Sequence, residues 1–286
     1  MIVINGVTGN TGKVAAEALL ARGKKVRVVV RDAQKGAPFA AKGADVAVAD
    51  LRDTKAFTKA LDGAEGVYLL LPPAYGEKSF RAYQDATSAS IATAVRDAKV
   101  PHAVLLSSVG ANLPSGTGPI AGLYVLEKQL GEIASTKSTF IRAGFFMENL
   151  GQSLAGLPGG VLPSFLPADL PIDMIATKDI GTVAADALAA GPKQRVINLG
   201  GPAVTMTEVA AILTRLTGKS ITVAEAPRDA VVPALTGAGL TEDMAKLYQE
   251  LFAGFGSGKI AWEPQHERVH GTTKVDEVLK GLLAKG

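Results

Sequence analysis

Gly6, Gly9 and Gly12 stand three residues apart, with Val7, Thr8, Asn10 and Thr11 between them. A short apolar run, Ile2-Val3-Ile4, comes just before, and Lys13 to Arg22, rich in strong helix formers, follows. Glycines between a strand and a helix do definite work. One turns the chain sharply, another admits a diphosphate against the backbone, and a third lets the helix pack closely on the sheet. The helix N-terminus then offers unpaired N–H groups and partial positive charge to a phosphate. In a chain with 32 glycines the spacing alone would carry little; the strand and helix around it give it meaning. Gly6, Thr8, Gly9, Asn10, Thr11 and Gly12 are therefore candidate dinucleotide-binding residues.

The next question is which dinucleotide. Val26 to Val30 reads as a second strand, and Arg31 stands at its end, with Asp32 next and Lys35 a turn later. A carboxylate at this place accepts from the ribose 2′-hydroxyl of NAD, whereas a cation holds the 2′-phosphate of NADP. The planar guanidinium fork suits a phosphate, so Arg31 and Lys35 favour NADP(H), and Asp32 is the residue that argues for NAD. Ala44 to Ala49 is a third strand, closed by Asp50 and Leu51. Asp50 either accepts from the adenine amino group or caps the helix that follows. Gly66 to Leu71 is a fourth strand ended by Pro72-Pro73, which remove two backbone donors. Ligands of open parallel sheets sit at strand carboxyl ends, so Leu71 and Pro72 border the cofactor and Tyr75 overhangs it. Ser107, followed by Ser108, closes a fifth strand from His102. It either hydrogen-bonds the nicotinamide or substrate carbonyl, or caps the next turn.

Tyr124 and Lys128 lie four apart on a helix spanning Gly122 to Ile133, so their side chains can meet. A lysine beside a phenol lowers its pKa and makes it a proton donor near neutrality; Glu127 between them suggests a plain charged face instead. After a sixth strand, Thr139 to Ala143, come Phe145, Phe146 and Met147. They pack in the core or line a pocket for a flat apolar substrate.

The elements that position these residues read as an α/β doubly wound parallel sheet of Rossmann type, helices on both faces, with a smaller C-terminal α+β lobe. Residues 1–150 form the NADP-binding domain. Residues 151–286 form mainly a substrate-binding lobe, with some segments returning to the core sheet. In the second half, Gly156 to Pro171 is a proline- and glycine-rich loop or lid, Lys178 to Ala190 is an amphipathic helix, and Arg195 to Leu199 is a strand. Thr205-x-x-Glu208 is a capping box. Asp229 to Phe252 is helical with a break at Thr236 to Leu240, and Val275 to Leu283 closes the chain as a helix.

The 286 residues are 47% hydrophobic and 20% charged, as in ordinary globular proteins, with a net charge of +3. Basic residues are scattered among acidic ones, without a basic stripe, so nucleic acid is not an expected partner. The absence of cysteine excludes disulfides, thiolate catalysis and thiolate metal sites. His102 begins a strand, and His266 and His270 share a proline-containing loop, so no metal site is expected. No stretch reaches the length of a membrane span, and the first strand begins at residue two, which leaves no room for a signal peptide. The expected location is the cytoplasm and the expected state a monomer or homodimer.

Nearly the whole chain resembles the NmrA-like branch of the atypical short-chain dehydrogenases/reductases. The resemblance is carried by Gly6-Val7-Thr8-Gly9-Asn10-Thr11-Gly12, Val30-Arg31-Asp32, Ala49-Asp50-Leu51 and Leu126-Glu127-Lys128-Gln129-Leu130. Thr139-Phe140-Ile141-Arg142, Phe145-Phe146-Met147-Glu148-Asn149 and the helix from Thr205 to Lys219 extend it. Within that branch the chain is similar to small bacterial reductases that pass hydride from NADPH to quinones, azo dyes or triarylmethane dyes without flavin. The resemblance implies the same cofactor and a flat aromatic acceptor bound by Tyr75, Phe145, Phe146 and Met147. It also admits a non-catalytic NADP(H)-sensing regulator, while Tyr124 and Lys128 would serve a carbonyl reductase. Matching Glu127 to the family's helix glutamate puts the short-chain tyrosine and lysine positions at Pro119 and Leu123. On that register the chain lacks the proton donor of alcohol–ketone chemistry. Quinones and dyes need it less, because water can protonate their delocalised reduced forms.

Overall fold

A computed structural model describes residues 1–284 of the chain. The first half contains β1 (Ile2–Asn5), α1 (Asn10–Ala21), β2 (Val26–Val30), α2 (Ala33–Ala40), β3 (Asp45–Val48), α3 (Thr54–Ala60), β4 (Gly66–Leu69), α4 (Phe80–Asp97), β5 (His102–Ser108), α5 (Ala121–Gly131) and β6 (Lys137–Ala143). The second half contains β7 (Phe145–Phe146), β8 (Val161–Ser164), β9 (Ile172–Ile175), α6 (Thr177–Ala189), β10 (Arg195–Gly200), β11 (Ala203–Val204), α7 (Met206–Thr217), β12 (Thr222–Glu225), α8 (Val231–Gly237), α9 (Glu242–Gly256), β13 (Glu267–His270) and α10 (Val275–Leu283).

Eight strands form one parallel sheet in the order β13-β10-β6-β5-β4-β1-β2-β3. The central strands read as unbroken apolar runs because both faces are covered, as parallel sheets require. Val28, Ile4, Tyr68, Val104 and Ile141 point to one face, where α1 and α6 lie. Val3, Val67, Leu69, Leu105 and Phe140 point to the other, under α3, α4 and α5. A third core joins β8, β9, α7 and α10 around Met147, Leu162, Met174, Val209 and Leu279.

The chain order reverses between β1 and β4, and the carboxyl ends there are where a doubly wound sheet receives its ligand. Asn5, at the end of β1, braces that point. Its side-chain amide donates to the Leu70 carbonyl at 3.1 Å and accepts from the Leu70 N–H at 3.0 Å. α6 supports α1 from behind, so closely that a Cβ on Gly181 would lie 2.7 Å from the Thr11 carbonyl oxygen.

Three segments differ from the sequence reading. Gly156 to Pro171 is not one loop: a 3-10 segment, Met147–Gly159, leads into β8, which pairs with β12. His270 belongs to β13, the parallel edge strand beside β10, and not to a loop. Lys35 lies in α2, an eight-residue helix with Gly36 and Pro38 inside it. Both residues are poor helix formers, which hides the element. Burial of Phe39 and the fit of Gly36 against Val46 hold it in place. By contrast, the Thr205–Glu208 capping box closes in both directions, Glu208 N–H to the Thr205 hydroxyl at 3.1 Å and Thr205 N–H to the Glu208 carboxylate at 2.8 Å.

Candidate active site

The turn after β1 is built by backbone need. Gly6 has φ of 68°, a conformation that favours glycine. Its carbonyl accepts from the Gly9 N–H at 3.0 Å, which closes the turn. Gly12 is where α1 meets the sheet: a Cβ would stand 2.6 Å from the Gly6 carbonyl oxygen and 2.7 Å from that of Asn5. Gly9 caps α1 without a side-chain bond, so the first N–H groups of the helix remain free for a ligand. Thr11 looks the other way. Its buried hydroxyl accepts from the Tyr68 phenol at 2.9 Å and pins the helix start to β4.

Below this turn opens a cleft of about 930 Å³. Gly6, Thr8, Arg31, Lys35, Asp50, Leu51 and Pro72 line it, as do Lys13, Arg52, Glu77 and Tyr83, which the sequence reading did not mark. Gly9, Asn10, Gly12 and Leu71 are not among its walls, and neither is Ser107.

The charges in the cleft are unequally committed. All four carboxylates on its walls are occupied. Glu17 meets Lys42 at 2.6 Å. Asp32 accepts from the Gln34 N–H at 2.9 Å as the cap of α2. Asp50 accepts from the Arg52 N–H at 2.8 Å, and Glu77 reaches Arg52 at 3.7 Å. The Arg52 amide, with help from its guanidinium, holds the Asp50 carboxyl below the usual range. Lys13, Arg31 and Lys35 enter no ion pair among the described residues. Arg31 at the end of β2, Lys35 on α2 and Lys13 on α1 thus face the cleft outside any salt bridge. Asp32, the residue that argued for NAD, caps its own helix through one carboxylate oxygen. Asp50 does not cap α3; Asp53 does, through the Ala56 N–H at 3.0 Å. The cleft therefore fits a dinucleotide carrying an extra phosphate: a tight backbone turn, unspent helix amides and a free cationic wall.

Ser107 is engaged. Its hydroxyl donates to Glu127 at 2.5 Å. Arg142 grips the same carboxylate, Nε at 3.0 Å and Nη2 at 2.6 Å, and also bonds Glu263. Glu127 and Arg142 are nearly enclosed, 7% and 8% exposed. Burial works against the Arg142 charge, but the two glutamates outweigh it and raise its pKa. Glu127 is therefore not part of a simple solvated face. It fixes the end of β5 to β6 and, through Glu263, to the segment before β13. Ser108, its neighbour, donates to the Val109 carbonyl at 3.1 Å.

Tyr124 is half-buried and Lys128 exposed on α5, no hydrogen bond joins them among the described residues, and neither lines the cleft. Phe145 and Phe146 are half-buried in β7, paired to Met174 and Ile175 of β9. Met147 is fully enclosed in the third core and has no surface left to line a pocket. Tyr75 is 47% exposed, on the loop whose Pro72, Pro73, Ala74 and Glu77 border the cleft. His102 is buried beside Thr139 in β5, and His266 lies 3.4 Å from Glu263.

Known proteins share this design. The chain is 29% identical over 267 residues to quinone oxidoreductase 2 of Escherichia coli (strain K12), covering 91% of this chain and 90% of that protein. It is 28% identical over 258 residues to NAD(P)H azoreductase of Xenophilus azovorans, covering 88% and 86%. The crystal structure of the Escherichia coli NADPH-dependent quinone oxidoreductase complexed with NADPH superposes with a TM-score of 0.84 at 26% identity, over 99% of this chain and all of the other. The pattern of one family spans residues 1–269, and the chain belongs to it: the NmrA-like family.

Proposed function

We infer that this chain is an NADP(H)-dependent reductase, and we propose that its acceptor is a flat conjugated molecule of the quinone, azo-dye or triarylmethane class. The observation that carries the cofactor is the set of cations, Lys13, Arg31 and Lys35, that face the cleft outside any salt bridge among the described residues, with Arg31 at the end of β2. A 2′-phosphate at the end of β2 would meet Arg31 and Lys35. The relatives named for quinone and azo reduction support the acceptor class.

When bound, NADPH supplies hydride; the residues of this chain bind, orient and exclude water. The Gly6–Gly12 turn and the open N-terminus of α1 receive the diphosphate. Asp50, Leu51 and Pro72 border the cofactor, and Arg31 and Lys35 select its phosphate. Ser107, buried and donating to Glu127, braces the end of β5. Tyr75, Phe145 and Phe146 provide apolar surface for the acceptor. Proximity of two bound partners then lowers the barrier.

Without a tyrosine–lysine hydrogen bond, proton donation by Tyr124 has no support in the geometry. Steady-state oxidation of NADPH with menadione and with methyl red tests this reading. Turnover that survives Tyr124→Phe is expected. Loss of all turnover in that variant would favour a carbonyl reductase, and absence of turnover in the parent across such acceptors would contradict the reductase.

A further inference from the structure

Four aromatic rings lie outside the role given to the cofactor cleft. Phe165, just after β8, and Phe252, on α9, have ring centroids 5.4 Å apart at 34°. Tyr248, one turn earlier on α9, stands 6.1 Å from Phe252 at 32°. The fourth is Tyr75, and its phenol neighbours that of Tyr248: burial raises the Tyr248 pKa and Tyr75 raises it further. The loop between β4 and α4 and helix α9 thus lie side by side, with Tyr75 on one and Tyr248 and Phe252 on the other.

Their position follows from what anchors them. Pro72, Pro73, Ala74 and Glu77 line the cleft, so Tyr75 is flanked on both sides by cleft wall. α9 is tied to the far end of that loop by Asp243, which accepts from the Phe80 N–H at 2.8 Å. The same helix presses on the segment after β5, where a Cβ on Gly118 would strike the Leu247 carbonyl. α9 thus meets the segments that leave the carboxyl ends of β4 and β5, across β1 from Arg31 at the end of β2.

Tyr75 is 47% exposed, one of two large hydrophobic side chains so open to water among the described residues, and the other three rings are half-buried. Three tilted, partly open rings beside a fourth exposed one form a surface suited to a further flat π-system. Aromatic partners prefer such offset or tilted contacts at 4.5–7 Å.

We propose that Tyr75, Tyr248, Phe252 and Phe165 form the acceptor platform, with Tyr75 and Tyr248 making direct contact with the conjugated ring. This rests on the reductase reading above and assigns its acceptor site chiefly to α9 and the β4–α4 loop, with Met147 excluded by its burial.

The test uses the full chain with menadione as probe. KM for menadione is measured at saturating NADPH, and menadione binding to the NADP⁺-loaded protein by calorimetry. The variants are Tyr75→Ala, Tyr248→Leu, Tyr248→Phe and, as a control, Lys246→Ala on the exposed side of α9. Tyr75→Ala lies on an open loop and removes no core contact. Tyr248→Leu keeps apolar bulk but removes the flat ring. Each is expected to raise KM and Kd for menadione by about tenfold, with Kd for NADPH within twofold of the parent. Tyr248→Phe should recover most of the loss caused by leucine, and Lys246→Ala should change neither value. Unaltered menadione affinity in both Tyr75→Ala and Tyr248→Leu, in a parent that turns over, would overturn the platform and leave the reductase standing. A parent that reduces no acceptor and binds no menadione would overturn both.

Discussion

Replacing Arg142 by methionine puts the strongest demand on the polar network under Ser107. Methionine fills much of the space but leaves the Glu127 carboxylate enclosed, with only the Ser107 hydroxyl to donate to it. The guanidinium supplies two of the bonds to Glu127, at 3.0 and 2.6 Å, and a third to Glu263. Breaking one side of such an enclosed pair costs about 3–5 kcal/mol, because the surviving charge is left without its partner. Removing that charge as well relieves most of the penalty, since glutamine at position 127 can still accept from Ser107. The double variant Arg142→Met, Glu127→Gln is therefore expected to be more stable than Arg142→Met alone by about 2 kcal/mol. Urea unfolding followed by far-ultraviolet circular dichroism reads the global change, and fluorescence of Trp262, the chain's single tryptophan, reads the neighbourhood of Glu263. A loss below about 1 kcal/mol in Arg142→Met, or a double variant no better than the single one, would refute the claim that an uncompensated buried charge dominates.

Two further outcomes follow from the geometry. His102 is 1% exposed, and burial, then the Arg195 charge, lowers its pKa to about 4 from an ordinary 6.5. The unfolded chain therefore takes up the proton first as pH falls. The stability tied to the neutral ring is complete above pH 6.5 and lost progressively down to about pH 4, roughly 3 kcal/mol at about 1.4 kcal/mol per pH unit. His102→Gln should flatten that part of the stability–pH profile, whereas parallel profiles would contradict it. Gly12→Ala drives a Cβ into two backbone carbonyls. It should cost about 1–3 kcal/mol by overpacking and weaken NADPH binding at least about tenfold by shifting the start of α1, read by thermal shift and calorimetry; unchanged affinity would contradict that role.

The sheet was legible because each central strand is an apolar run flanked by punctuation such as Gly23, Pro72 and Pro101. The glycine turn was legible for the same reason: Gly6 and Gly12 are required by φ and by close approach, and both requirements act locally. α2 was hidden by Gly36 and Pro38, because packing of Phe39 outweighs their poor propensity. The roles of Asp32 and Asp50 were undecidable from type alone, since a carboxylate at a strand end serves a ribose, an adenine or a nearby N–H equally well. Lys13 and Arg52 went unmarked because their place in the cleft depends on the paired neighbours around them. The ring cluster could not be seen at all: Phe165 and Phe252 come together only through the docking of α9. Ser107, Glu127, Arg142 and Glu263 likewise meet only across strand register and a late segment of the chain.

The most direct test of the central claim is a calorimetric titration of the parent protein with NADPH and with NADH, repeated with Arg31→Ala. The free cations of the cleft predict that NADPH binds at least about tenfold more tightly than NADH, about 1.4 kcal/mol, and that Arg31→Ala removes most of that preference while leaving NADH affinity nearly unaltered. Equal affinities in the parent, or no binding heat with either dinucleotide, would contradict it.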